Sequence, residues 1–413
     1  MENKQDLPPG WKWVKLGEVC EINPPRRNIS DRSPDAPTSF IPMESVDEVS
    51  GKISKTFVVP YSKVAKGYTY FEENCILFAK ITPCMQNGKH TIAKNLIDGI
   101  GFGTTEFHVI SPSNAIIPEW VWYFIRQKAF LTEAMNYFTG SVGQQRVPKN
   151  FLSEHIIPLP PLSEQKRIAE KLKILMGEID EARASCEKQL EAAKALPSAY
   201  LREVFESPEA QKWEKKRLGE VISVIESGGR PKGGVLNIKD GIPSIGAEHL
   251  NSSGGFNFTN IRFIPKEFYG VMNKGKIQNG DVLIVKDGAT TGRVSFVRSD
   301  FPFEHATLNE HVFRLRGNNL LDQEFLFYFL ASPSGQEQIK NEFHGSAQGG
   351  INQQFVNVVF TPIPPLSEQR RIAAYLKEKI DQAEKLRETL EKELETINAL
   401  PQSILSKAFE GEL

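Results

Sequence analysis

The polarity pattern of the chain is written twice. In the first copy, short runs rich in branched and aromatic residues, KTFVVPYS, CILFAKI and FHVI, sit between turn signals, and FNFTNIRFI, DVLIVKD and HVFRL do the same in the second. Such runs predict strands. Each copy opens on a short apolar stretch, WVKLGEVCEI (Trp13 to Ile22) or KKRLGEVISVI (Lys215 to Ile225), which predicts a strand or short helix before a Pro/Gly loop carrying positive charge. Later in each copy aromatics fall on a helical repeat, in PEWVWYFIRQKAF (Pro118 to Phe130) and QEFLFYFLASPSG (Gln323 to Gly335). Gly/Gln-rich loops follow, TGSVGQQRVP and HGSAQGGINQQ.

The best-preserved phrase closes each copy. PLPPLSEQKRIAEKL, from Pro158 to Leu172, returns 204 residues later as PIPPLSEQRRIAAYL, from Pro362 to Leu376. Ser163 and Ser367 stand where a helix N-cap is expected, and Glu164 and Glu368 suit the positive end of the helix dipole. Beyond them a 3–4 apolar spacing runs through Ile168, Leu172, Leu175, Ile179, Ala182, Cys186, Gln189, Ala193 and Leu196. The second copy gives Ile372, Leu376, Lys379, Ala383, Leu386, Leu390, Glu393, Ile397 and Leu400. That pattern predicts coiled-coil pairing, with charged breaks at Lys379 and Glu393. Pro197 and Pro401 are expected to end or kink the two helices.

Repeats of this length set the architecture before any local assignment. The expected fold is α+β: two repeated mixed α/β domains separated by two long antiparallel coiled-coil helices. The segments are 1–157, first domain; 158–207, first helical spacer; 208–361, second domain; and 362–413, second helical spacer. Antiparallel pairing follows if the inserted domain has its ends close together. Ser163 to Leu196 then forms a rod of roughly 50 Å, matching about 15 base pairs of duplex. Two readers related by an approximate two-fold axis fit a bipartite DNA site with an unread middle.

Composition adds limits. The 413 residues carry a net charge of -1, which excludes nothing because binding depends on how charge is distributed. Four cysteines (Cys20, Cys75, Cys84, Cys186) share no CxxC spacing and no repeat position, arguing against a disulfide framework or a zinc site. No apolar run reaches membrane-spanning length and the start lacks a signal layout, so a cytoplasmic protein is expected. Enzyme-like signals are weak. Asn23-Pro24-Pro25 is followed by Arg26 where an amino-methyltransferase motif needs an aromatic, no GxxxxGK[ST] occurs, and His305 and His311 lack HExxH spacing.

The order of variable domain, PLPPLSEQ-type helix, variable domain, PIPPLSEQ-type helix resembles the specificity subunit of type I restriction-modification systems. The likeness covers nearly the whole chain and extends to ILFAKITPCMQNGK (Ile76 to Lys89) and GDVLIVKDGATTGRV (Gly280 to Val294), which look like target-recognition domains. The resemblance implies a non-catalytic subunit whose domains each read half of a split sequence in double-stranded DNA. It implies two methyltransferase subunits and restriction/translocase subunits as partners, and no membrane. No cofactor is expected on this chain; S-adenosylmethionine, ATP and magnesium belong to the partner subunits. Docking is expected around the PPLSEQ motifs and helix tails.

Three loop sets are candidates for DNA contact. Arg26 and Arg27 match Arg230 and Lys232 in position, and arginine forks suit guanine edges or phosphates; solvated turn residues are the alternative. Lys80, Thr82, Gln86, Asn87 and Lys89 follow the central strand, as Lys286, Thr290, Thr291 and Arg293 do in the second copy. Asn87-Gly88 equally suits a simple hairpin turn. Ser141, Gln144, Gln145 and Arg146, with Ser346, Gln348, Asn352, Gln353 and Gln354, offer amides that pair with adenine. Glu106 and Glu310 recur nearby; a glutamate can accept from cytosine, but a buried structural hydrogen bond is the expected role. Two other functions remain open at this point: a specificity subunit of another restriction class whose partner fuses methyltransferase and nuclease, and a coiled-coil scaffold that binds no DNA.

Overall fold

The computed structural model describes residues 7–29, 31–141, 143–235, 238, 240–343 and 350–413. Ser346 and Gln348 lie outside the described residues. The chain divides into two compact units, residues 1–187 with 392–413, and residues 188–391.

In the first unit the central strand Ile76–Ala79 is buried throughout, and its period of two splits it between two cores. Ile76 and Phe78 face a cluster with the helix Pro118–Ile125, whereas Leu77 and Ala79 face a second cluster with Ile41 and Phe71. A strand covered on both faces needs an unbroken apolar run, which is why CILFA does not alternate. The sheet runs Cys20–Ile22, Phe107–Pro112, Ile76–Ala79, His90–Ile92, all antiparallel. A second sheet runs Phe57–Pro60, Pro37–Ile41, Ile100–Gly103, Thr69–Glu72, with Pro37–Ile41 and Ile100–Gly103 parallel. Lys12–Lys15 pairs with Ile156–Leu159 just before the long helix.

The second unit repeats this plan. Ile222–Ser227, Val312–Gly317, Val282–Val285 and Val294–Phe296 form one sheet, and Arg262–Ile264, Ile242–Ile245 and Thr307–Leu308 the other. Val282 and Ile284 face the helical core while Leu283 and Val285 face the second sheet's cluster. Of the expected run FNFTNIRFI, only Arg262–Ile264 is a strand. The aromatic stretches each form two helices rather than one: Pro118–Ile125 and Lys128–Asn136, then Gln323–Ala331 and Pro333–Asn341.

Three expectations for the long helices need correction. Both helices begin at the leucine, Leu162–Phe205 and Leu366–Glu410, so Ser163 and Ser367 lie inside the first turn. The carbonyls of Pro161 and Pro365 accept the first N–H groups instead, at 2.8–3.0 Å. Pro197 and Pro401 end neither helix. Proline removes one backbone bond and costs about 3 kcal/mol, but the following turns bury Leu201 and Phe205 in one core and Leu405, Ala408 and Phe409 in the other, which outweighs it.

The seam is the third correction. Leu172, Ile179, Cys186 and Ala193 are buried as expected, but Ala182 and Gln189 are exposed and Leu386 and Leu400 are 45% and 40% exposed. The alternate column sits one residue later, at Met176, Arg183, Leu190 and Pro197, and at Ile380, Arg387, Leu394 and Pro401 in the second helix. Lys379 and Glu393 are therefore not core breaks. Within the first unit, Arg183 Nε donates to Asn398 Oδ1 at 2.8 Å and Arg167 Nη1 to the Leu413 carbonyl at 3.0 Å. Rising numbers on one helix meet falling numbers on the other, so these segments are antiparallel.

The repeated glutamine of PPLSEQ is a buried clasp. Gln165 accepts from Ile117 N–H at 3.0 Å and donates to the carbonyls of Ala115 (3.1 Å) and Pro160 (2.8 Å). Gln369 accepts from Asp322 N–H at 2.8 Å and donates to Leu320 (2.9 Å) and Pro364 (2.8 Å). Each thereby ties the start of a long helix to the loop that launches the aromatic helix. Gln165→Leu or Gln369→Leu strands three backbone groups, of which the Pro160 or Pro364 carbonyl is buried, so either is expected to lower the denaturation midpoint of its own unit by an amount equal to about 1–3 kcal/mol. Urea titration followed by circular dichroism checks this, and a change below about 0.5 kcal/mol would show the clasp to be dispensable.

Candidate nucleic-acid interface

The chain leaves the central strand in the same backbone frame in both units. In the first, Lys80 N–H donates to the Glu106 carbonyl at 2.9 Å, Val147 N–H donates to the Lys80 carbonyl at 2.9 Å, and Ile81 bridges Arg146. In the second, Lys286 N–H donates to the His311 carbonyl at 3.0 Å, Ile351 N–H to the Lys286 carbonyl at 2.7 Å, and Asp287 bridges Gly350. Strand register agrees, with Ala79 opposite Phe107 and Val285 opposite Val312. The frame therefore equates Lys80 with Lys286, Ile81 with Asp287, Glu106 with His311 and Arg146 with Gly350. Glu310 stands one residue before the position equivalent to Glu106.

Different side-chain pairs occupy this shared frame. The Arg146 guanidinium grips the Glu106 carboxylate through Nε (2.9 Å) and Nη2 (2.7 Å). That contact holds the Glu106 carboxyl below its usual range and raises the Arg146 guanidinium. In the second unit His311 Nδ1 lies 2.5 Å from Asp287 Oδ1, His311 Nε2 lies 3.4 Å from Glu310 Oε1, and Arg230 Nε lies 2.9 Å from that same oxygen. Lys286 Nζ lies 3.8 Å from Asp287 Oδ2 at the end of this set.

The sequence candidates fall into groups around this frame. Thr82 N–H donates to the Gln145 carbonyl at 3.0 Å, so Lys80, Thr82, Gln145 and Arg146 come together, with Gln144 accepting from Arg146 Nη1 at 2.9 Å. Gln86, Asn87 and Lys89 lie on the next turn. Gln86 and Asn87 are exposed, the latter donating to Glu48 Oε2 at 3.1 Å, while Lys89 Nζ donates to the Val46 carbonyl at 3.1 Å. Gly88 takes φ +80°, so the Asn87-Gly88 pair also makes the turn. Thr290 and Thr291 are half-buried on the corresponding loop, and Arg293 is turned inward to donate to the Leu250 carbonyl at 2.9 Å. Asn352 caps the turn that follows by accepting from Gln354 N–H at 2.7 Å, with Gln353 exposed beside it.

Arg26 and Arg27 do not match Arg230 and Lys232 in surroundings. Arg26 bonds the Ala65 carbonyl (2.8 Å) and the Tyr61 hydroxyl, over the rings of Tyr61, Tyr70 and Phe102, while Arg27 sits 3.8 Å from Glu72. Both pack on the second sheet, whereas Arg230 joins the frame through Glu310 and Lys232 is exposed. Asn23 holds strand ends together, accepting from Val109 N–H at 2.9 Å, which accounts for the NPP sequence as a structural turn.

Sequence reasoning missed Arg126. Its guanidinium donates to the carbonyls of Gly88 (2.7 Å) and Val49 (2.5 Å) over Trp122, and burial lowers it to about 10. It thereby anchors the turn carrying Gln86, Asn87 and Lys89 to the aromatic helix. A cleft of about 810 Å3 in the first unit is lined by Arg126, Lys166, Lys173 and Arg183 among others. Its charges are largely internal pairs, Lys173 with Glu170 at 3.2 Å and Arg183 with Asp180 at 2.9 Å. Among the described residues there is no cluster of three or more His, Cys, Asp or Glu side chains fit to hold a metal, and no helix long and apolar enough to cross a membrane. All four cysteines are free thiols.

Comparison with known proteins adds an independent line. The family described as type I restriction modification DNA specificity domain matches residues 8–191 and again 210–396. The type I restriction enzyme EcoEI specificity subunit of Escherichia coli is 34% identical over 211 residues, 51% of this chain but only 35% of that protein. The chain thus spans about a third of the first relatives it matches. The StySPI specificity subunit of Salmonella potsdam is 27% identical over 447 aligned positions, covering 100% of this chain and 91% of that one. The crystal structure of the HsdS subunit from Thermoanaerobacter tengcongensis superposes with a TM-score of 0.69 at 26% identity, covering 100% of both chains.

Proposed function

Because the chain belongs to the type I restriction-modification DNA specificity family, we propose that it is the sequence-specificity subunit of such a complex, each domain reading one half of an asymmetric bipartite site in duplex DNA. The observation that carries this reading is the shared backbone frame with unlike charged side chains. A common scaffold bearing Glu106 and Arg146 in one unit and His311 and Asp287 in the other suits two readers of different sequences. The subunit itself is non-catalytic. It works in the cytoplasm with two methyltransferase subunits and with restriction/translocase subunits, which bring S-adenosylmethionine, ATP and magnesium. The PPLSEQ starts and helix tails are the proposed docking region, and the long helices set the unread spacer.

Selection from random duplex pools, with the methyltransferase subunits bound, is expected to enrich a split motif with unequal halves. Absence of any split motif would falsify the reading in favour of a scaffold that binds no DNA. Inserting seven residues at matched points of both long helices is expected to lengthen the preferred spacer by about three base pairs, since seven helical residues rise about 10.5 Å. An unchanged spacer would remove the measuring role from the helices while leaving the reading of half-sites intact.

A further inference from the structure

Arg146 is built to present one edge outward. An arginine has five N–H groups arranged in forks. Glu106 takes the side fork formed by Nε and Nη2, and the Gln144 carbonyl takes one hydrogen of Nη1. One hydrogen on Nη1 and one on Nη2 remain for a ligand. The side chain is 40% exposed and Glu106 24%, so the carboxylate lies behind the guanidinium. A guanidinium fixed from behind, with a hydrogen left on each terminal nitrogen, can donate to guanine's O6 and N7 acceptors. A carboxylate beside a polyanion is unfavourable unless a cation is bound to it, and here one is, in bidentate form.

Resting on the reading of the first unit as a DNA-binding domain, we propose that Arg146 reads a guanine in the first half-site and that Glu106 is the positioning residue that orients it. The second half-site is read by other groups, because Gly350 occupies the equivalent frame position and offers no side chain. His311 and Asp287, paired at 2.5 Å, stand there instead. A phosphate contact by Arg146 is the competing role, and it differs in carrying no sequence information.

The test uses the full chain assembled with its methyltransferase subunits and random duplex pools, comparing wild type with Arg146→Lys and Glu106→Gln. Arg146→Lys keeps the charge but not the fork, so preference for guanine at one position of one half-site is expected to fall by about tenfold or more. The other half-site should be unchanged, which also controls for folding. Glu106→Gln should relax the same position while leaving affinity for non-cognate duplex equal or higher, since a negative charge has been removed. Two results would overturn the assignment: a first half-site with no position that depends on Arg146, or a uniform loss across all sequences with no change in base preference. Glu106→Gln lowering selectivity at both half-sites would make Glu106 merely structural and sink its positioning role. A wild-type pool without a split motif defeats the parent reading, whereas a split motif untouched by Arg146→Lys defeats this assignment alone.

Discussion

Phe409→Ala is expected to destabilise the first unit by about 3–5 kcal/mol and to leave the second unit nearly unchanged. The ring is 6% exposed and packs 4.5 Å from Trp120 and 5.2 Å from Phe124, between centroids. Leu405 and Ala408 enter the same core, so removing residues 402–413 deletes three buried side chains together. It also deletes Gln402, whose Oε1 accepts from Lys128 N–H at 2.7 Å and whose Nε2 donates to the Arg126 carbonyl at 3.2 Å. The combined loss approaches the whole stability of a domain, about 5–15 kcal/mol, so the truncated chain should keep a folded second unit and an unfolded first. Tryptophan fluorescence can tell them apart, because Trp11, Trp13, Trp120 and Trp122 lie in the first unit and only Trp213 in the second. Phe205→Ala is the mirror experiment, since Phe205 packs 5.4 Å from Phe325 and 5.6 Å from Phe329. If Phe409→Ala left the fluorescence-monitored transition where it is in the wild type, the tail would not be part of the first core.

That dependence was half visible in the amino-acid sequence. The apolar residues after Pro197 and Pro401 recur at the repeat distance, Leu201 with Leu405 and Phe205 with Phe409, yet a proline inside a helix reads as a stop when burial beyond it is unknown. The seam has a similar lesson. A 3–4 spacing can be entered in two phases, and each helix alone supports both. Matching the copies discriminates, because Met176 with Ile380 and Leu190 with Leu394 are apolar in both, whereas Leu175 with Lys379 and Gln189 with Glu393 are not. Gln165 and Gln369 recur at the repeat distance, but residue type alone does not reveal the three backbone partners that tertiary packing brings around each. The Arg146 and Glu106 pair lies 40 residues apart in sequence, and the His311 and Asp287 pair 24. Only the strand topology brings such groups to one frame, so residue type located the loops and left their pairing open.

Lowering the pH from 7 to about 4 is expected to destabilise the first unit steeply, and more than the second. Burial depresses His90 to about 3 and His155 to about 4, and lowers His108 as well, whereas His249 is the corresponding case in the second unit. His90 shows why protonation is unfavourable. Its Nδ1 accepts from Ala79 N–H at 3.2 Å, its Nε2 has no hydrogen-bond partner, and the ring stacks on Phe78 at 4.2 Å. A proton on Nδ1 would displace the strand's own N–H and leave a buried charge stacked on the Phe78 ring. The sign follows from linkage. With a folded pKa below the unfolded value of 6.5, the unfolded chain takes up protons first as pH falls, so stability is lost from about pH 6.5 down to the folded pKa. Each such histidine contributes at most about 1.4 kcal/mol per pH unit, so His90 and His155 together give a slope of about 2–3 kcal/mol per unit between pH 6 and pH 4. Urea midpoints followed by tryptophan fluorescence across that range measure the slope. His90→Asn keeps an acceptor for Ala79 N–H but cannot take a proton, so its baseline stability should fall while its slope drops by about 1 kcal/mol per unit. An unaltered slope in His90→Asn would mean that the ring is already solvated in the folded protein, and that the acid sensitivity of the first unit arises from other groups.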